Sequence, residues 1–231
     1  MPATQPVSPQ RRRAPRNTLN PDRILRAAVG LLDREGAAAF TMRALAEELG
    51  VGTMAVYSHF RNKEEITDAV TERLLDTIEL PPGGCADPRA ELREVCRGVY
   101  RLFTEHPSAL QLLTVRPLRG DDAIAVIDRM LGLLHRTGLS RSEAAGAHVA
   151  LMQFTVGAAL WTTRRARALS EEGVRDRVRA KLAALPPERY PAVVSLAPEL
   201  LCAHDDTGGQ YERGLDALLD GLLGGVAAAG A

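Results

Sequence analysis

Thr41 to Lys63 reads TMRALAEELGVGTMAVYSHFRNK, and the spacing of its apolar residues decides the fold. Met42, Leu45, Ala46 and Leu49 fall on one face of a short helix, with Thr41 placed to cap it. Gly50 stops that helix, because glycine enters the left-handed region without steric cost. Gly50-Val51-Gly52 is then a tight turn, and Thr53 to Phe60 predicts a second short helix. Ala46 is small where two such helices would cross, and Val51 and Val56 plug the space beneath. Two short helices joined by a three-residue turn form a helix-turn-helix, in which the first braces and the second enters the major groove of DNA.

The outer side of the second helix carries Thr53, Met54, Tyr57 and Ser58, with His59 at its edge. None is acidic, as suits a surface that approaches phosphates. Hydroxyl and ammonium groups donate to the DNA backbone, and threonine or a methyl group reads base edges.

Upstream, Asn20 is placed to cap a helix with Pro21 at its first position, and Ile24, Ala28, Leu31 and Leu32 form its apolar stripe up to Gly36. Residues 1–19 hold prolines and the run Arg11-Arg12-Arg13 without periodicity, which predicts a disordered basic arm. Downstream, Asn62 caps a fourth helix, with Glu65 as in a capping box, running to about Leu80.

Pro81-Pro82-Gly83-Gly84 is the clearest break, and every later segment predicts helix. Asp87-Pro88 opens one that ends near His106-Pro107, and a short one follows to Arg116-Pro117. Asp121 to Arg136 is next, then a long helix from the Ser140/Glu143 capping box to about Leu169. Residues 171–185 are helical and arginine-rich, prolines 186, 187 and 191 interrupt, and Gly208-Gly209 precede a last helix. The expectation is an all-α chain: an arm over 1–19, a DNA-binding domain over 20–66 and a helical effector-binding and dimerisation domain over 67–231.

Charge agrees with this division. The formal net charge is zero, yet residues 1–63 hold 10 Lys+Arg against 5 Asp+Glu. A basic end on an acidic body suits contact with a polyanion at one end. Cys85, Cys96 and Cys202 fit neither a disulfide framework nor a metal site, and the five histidines lack metal spacing, so no metal or cofactor is expected. No stretch reads as membrane-spanning and no secretory signal is recognised, which leaves a cytoplasmic location as the default.

From Ile24 to about Leu75 the chain resembles the DNA-binding domain of the TetR family. The resemblance rests on Ala27-Ala28, Gly36, Phe40-Thr41-Met42-Arg43, Leu45-Ala46, Leu49-Gly50-Val51, Val56-Tyr57, His59-Phe60 and Asn62-Lys63. It implies phosphate contacts by Thr41 and Tyr57, and base reading by Arg43 and Thr53 with Met54 and Ala55 beside them. His59 and Lys63 would complete the contacts. The body resembles the tetracycline-repressor-like branch through Val115-Arg116-Pro117, the long helix after Ser140, and Tyr211 to Gly221. That branch implies a small-molecule effector and a near-palindromic operator bound by a homodimer. Where the tetracycline repressor places a magnesium-holding histidine, this chain has Leu112, which argues for an effector held without metal.

Leu102, Phe103, Leu113, Phe154 and Trp161 are candidate walls of the effector pocket, with Leu112 and Arg116 beside them and His148 and Gln153 as polar groups. Ala147 and Leu151 on the long helix, with Tyr211, Leu215, Leu218 and Leu222 on the last, are candidates for the dimer interface. Two other readings compete. An enzyme would draw on Asp205-Asp206, His204 or Cys96, but no nucleophile motif or phosphate loop supports it. The other is a constitutive DNA-binding or protein-interaction module with no effector, which a small molecule retained by the purified protein and visible by mass spectrometry would distinguish.

Overall fold

The computed structural model describes residues 19–78, 87–107, 121–170 and 173–229. All regular structure among them is helical. In chain order the helices are α1 (Pro21–Ala39), α2 (Met42–Leu49), α3 (Thr53–Tyr57), α4 (Lys63–Leu75), α5 (Pro88–Glu105), α6 (Asp121–Arg136), α7 (Arg141–Leu169), α8 (Val174–Ala183), α9 (Pro191–Ser195), α10 (Ala197–Asp205) and α11 (Thr207–Ala229).

Caps fix where the helices begin. The Asn20 side chain accepts from the Arg23 N–H, Thr41 from Ala44 and Asn62 from Glu65. The Ser140 hydroxyl accepts from the Glu143 N–H, and the Glu143 carboxylate takes the Ser140 N–H in return, closing the predicted capping box. Gly50 ends α2 at φ 66°, and its N–H donates to carbonyls of the last turn. Gly36 sits at φ 80° inside α1 and kinks it, so the chain makes one further turn to Ala39 rather than ending there.

Several predicted boundaries move. Helix α3 closes at Tyr57, three residues early, because the Ser58, His59 and Phe60 N–H groups fold into turn bonds onto Met54 and Val56. Helix α4 ends at Leu75, not Leu80, with the Thr77 and Ile78 N–H groups bonded to Leu74 and Leu75. Pro191 starts α9 instead of interrupting. Helix α11 begins at Thr207, with Gly208 and Gly209 in its first turn, because the Asp206 carboxylate accepts from the Gly209 N–H. The arm over 1–18 and the short helix predicted before Pro117 lie outside the described residues.

One continuous hydrophobic core runs through the molecule. Ile24, Leu32, Phe40, Leu45, Val56 and Ile66 unite α1–α4. Leu92, Val95, Cys96, Met130, Leu133, Leu134, Leu151 and Leu215 unite α5, α6, α7 and α11. Helix α5 is central: it packs on α6, α7 and α11, and α4 reaches it and α6 from the other half. Helices α8–α10 contribute no buried residue.

One expectation needs correction. Helix α7 is long and apolar enough to cross a membrane, with a window of mean hydropathy 1.2 between Arg141 and Ala168. Only 28% of that window is buried in the chain. Its apolar content is two-sided: Ala144, Ala147, Leu151, Thr155 and Ala159 face the core, while Gly146, Val149, Gln153 and Gly157 face outward.

Candidate DNA-binding face and effector body

Helix α3 stands on Val56 and Phe60, both buried, and this plug turns the opposite side outward. Met54 is 79% exposed, and Tyr57, Ser58 and His59 are exposed beside it, with Thr53 and Ala55 half-buried. Burying one valine and one phenylalanine fixes the roll of a five-residue helix that could not hold its conformation alone. The Ser58 hydroxyl donates to the Ala55 carbonyl at 2.7 Å, so its proton is already committed.

The neighbouring residues complete the face. Thr41 is exposed at the cap of α2, its hydroxyl accepting from Ala44 at 3.0 Å. Arg43, 85% exposed, donates through Nε to Glu47 at 2.9 Å. Lys63 is half-buried: its ammonium donates to the Ala37 carbonyl at 3.1 Å and lies 5.6 Å over the Phe40 ring. Thr41, Arg43, Thr53, Met54, Ala55, Tyr57, Ser58, His59 and Lys63 thus run from the N-cap of α2 through α3 to the start of α4.

The body is held by ionic contacts on both sides of α5. Glu91 is 2% exposed and accepts from Arg129 and Arg136 of α6. On the other side Arg89, Arg93 and Arg97 meet Asp220, Asp216 and Glu212 of α11, as two antiparallel helices with charges four residues apart must. Arg97 holds the Glu212 carboxyl below the usual range, with Arg93 adding to it. Sequence reasoning missed this ladder, although the fourfold spacing of three arginines and three acids was its signal.

Beyond Arg97 and Glu212 the contact continues as an aromatic column. The Tyr100 and Tyr211 rings stack at 3.8 Å and 5°, and Phe154 lies against Tyr211 at 5.7 Å. The Tyr100 hydroxyl bonds Thr162 at 2.9 Å and that of Tyr211 bonds Thr155 at 3.3 Å. Burial pushes the neighbouring Cys96 thiol up to about 12, which leaves it a protonated core group.

The predicted body residues separate on this frame. Leu102 and Phe103 are buried core. His148 is half-buried, its Nδ1 enclosed without a hydrogen-bond partner, and burial lowers its basicity. Gln153 is exposed, and Trp161 is 60% exposed with its ring against His204 of α10. Leu112, Leu113 and Arg116 lie outside the described residues. Of the residues expected at a dimer interface, Ala147, Leu151, Tyr211 and Leu215 are buried within the single chain, and Leu218 and Leu222 are half-buried.

Comparison with known proteins places this architecture. Residues 24–70 match the family model for bacterial regulatory proteins of the tetR family, and residues 80–225 match the tetracyclin repressor-like C-terminal domain. The chain belongs to the TetR family. As a TetR-family protein it is a DNA-binding transcriptional repressor, ligand-responsive and dimeric. It is 33% identical to the HTH-type transcriptional repressor DrrR1 of Streptomyces coeruleorubidus, over 91% of this chain and 79% of that protein. The tetracycline repressor protein class A from transposon 1721 of Escherichia coli is 31% identical, over 88% of this chain and 90% of that one. Apo ActR from Streptomyces coelicolor superposes with a TM-score of 0.76 at 31% identity, covering 91% and 98% of the two chains. ActR in complex with actinorhodin gives 0.77 at 30% identity, covering 90% and 97%.

Proposed function

We propose that this repressor places the exposed side of α3 in the major groove of a near-palindromic operator and leaves it when a small organic effector enters the body. The observation that carries the DNA half is the orientation of α3: Val56 and Phe60 inward, Met54 and Tyr57 outward. Thr41, Tyr57 and Lys63 contact phosphates. Arg43 and Thr53 read bases, with Met54 and Ala55 offering apolar contact to thymine methyls, and Ser58 and His59 lie at the rim. Two copies related by a two-fold axis set their α3 helices about one helical turn apart, roughly 34–36 Å.

The dimer uses the outward face of α7 with the adjoining side of α11. Val149 and Gly157 on α7, and Ala217 and Gly221 on α11, are exposed and mostly small, so two such faces approach closely. Leu218 and Leu222 border that surface, and covering it accounts for the apolar character of α7 without a membrane. The setting is the cytoplasm, and the DNA-binding unit extends to residue 66.

The effector is a small apolar or drug-like molecule held without metal between the body helices, with Leu102, Phe103, His148 and Phe154 as its proposed neighbours. That ActR is known in complex with actinorhodin supports an organic ligand of this kind. Mobility shifts on a selected near-palindromic duplex and a shuffled control, with and without candidate compounds and EDTA, test the reading. Selective binding lost on adding a compound, with EDTA present, supports it. Equal binding to both duplexes, or release that requires magnesium, contradicts it.

A further inference from the structure

Helix α2 presents two acids to solvent, and they do different things. Glu48 bridges to Arg34 of α1 at 2.8 Å, which marks that flank of α2 as the one facing α1. Successive helical residues turn by about 100°, so Arg43 and Glu47 lie on the other flank, beside the buried Ala46. There Glu47 accepts the Nε–H of Arg43. An acid on a DNA-facing flank opposes phosphates, and α3 itself, TMAVY, carries no charge to offset it.

The geometry of the bond resolves this. It uses Nε, so both Nη groups of Arg43 stay free as a planar fork, the arrangement that meets guanine O6 and N7. The carboxylate also cancels the guanidinium charge, so the pair draws little from phosphates until a base edge engages the fork. An unpaired arginine here would bind any backbone it reached.

We propose that Glu47 is a specificity-determining residue, a positioning group that aims Arg43 at a guanine and suppresses its binding to indiscriminate sites. This rests on the docking of α2 and α3 proposed above. The pair acts as a unit: Arg43 supplies the contact, and Glu47 supplies the orientation and the penalty for its absence.

Selection of bound sequences from random duplexes, followed by affinity measurement on the selected site, its guanine-substituted variants and shuffled DNA, tests this. Wild type is expected to enrich a guanine in each half-site and to prefer it on the order of tenfold over other bases. Arg43→Ala should lose that preference. Glu47→Ala should still bind, gain several-fold on shuffled DNA with a steeper salt dependence, and prefer guanine less than threefold. Glu47→Gln keeps an oxygen for Nε and loses the charge, so it should gain on shuffled DNA while retaining most of the preference. If Glu47→Ala discriminates guanine as wild type does and binds shuffled DNA no tighter, the inference is overturned while the docking stands. If Arg43→Ala itself keeps the preference, the docking proposed for α2 fails as well.

Discussion

The Lys63 ammonium, at the first residue of α4, donates to the Ala37 carbonyl beyond the Gly36 kink of α1. This bond joins the two ends of the DNA-binding unit that frame α2 and α3. The Phe40 ring beneath the ammonium adds a cation–π contact. Lys63 therefore ties the start of α4 to α1, and its remaining ammonium protons are the donors for the phosphate contact proposed above.

Two effects of one substitution follow. Lys63→Ala should cost about 1–2 kcal/mol, the usual worth of a partly buried hydrogen bond to a charged group. It should also weaken binding to every sequence alike and lower the slope of log affinity against log salt by about one per subunit. Thermal unfolding and salt-titrated anisotropy check the two arms. A loss of stability with the salt slope unchanged would confine Lys63 to the staple.

Gly98 marks where α4's end meets the body. A Cβ there would lie 3.0 Å from Ile78 Cγ2, just beyond α4. Gly98→Ala gains about 1 kcal/mol of helix propensity and spends a comparable amount on that contact, so stability should barely change. Displacing Ile78 should nonetheless alter DNA affinity several-fold, because α4 carries Lys63 at its other end. Equal operator affinity for Gly98→Ala and wild type would show that this contact does not couple the halves.

The charge ladder gives the pH dependence. Arg97, then Arg93, hold the Glu212 carboxyl below its ordinary range in the folded chain. A group depressed on folding stabilises at pH above its unfolded value, and that contribution is lost as pH falls through the folded value. Stability should therefore drop below about pH 4.5, and Glu212→Gln should lower stability at neutral pH while flattening the acid limb. Denaturant midpoints at several pH values decide it. Parallel profiles for the two proteins would contradict the role of Glu212.

The two sides of α7 should respond differently to charge. Val149→Glu places a carboxylate on the outward face, so the chain should stay folded and become monomeric. Leu151→Glu places one in the core, where an unpaired buried charge costs several kcal/mol, and the chain should not fold. Light scattering and circular dichroism separate these. A dimeric Val149→Glu protein would move the interface elsewhere.

How much the sequence disclosed follows from which forces act locally. The α2–turn–α3 stretch was legible because Thr41, Gly50, Val56 and Phe60 each impose a cap, a stop or a burial readable at short range. The capping box at Ser140 and Glu143 was legible for the same reason. Which side of α7 turns to the core was not: small residues run around much of the helix, and the choice depends on α5 and α6. The prediction chose Ala147 and Leu151, which the chain itself buries. Trp161 is exposed beside His204, a placement that hydrophobicity alone does not announce, since it does not say which face of a helix a residue shares. Helix α4 ends at Leu75 in turn bonds from Thr77 and Ile78, a stop that no glycine or proline at that point announces.

The docking of α3 is tested most directly through Tyr57, the exposed hydroxyl beside Met54. Affinity for the selected near-palindromic duplex and for its shuffled control should be measured by anisotropy at fixed salt, for wild type and Tyr57→Ala. The account predicts that wild type prefers the selected site and that Tyr57→Ala loses a similar factor, on the order of tenfold, on both duplexes. Tyr57→Ala binding both as tightly as wild type would contradict it.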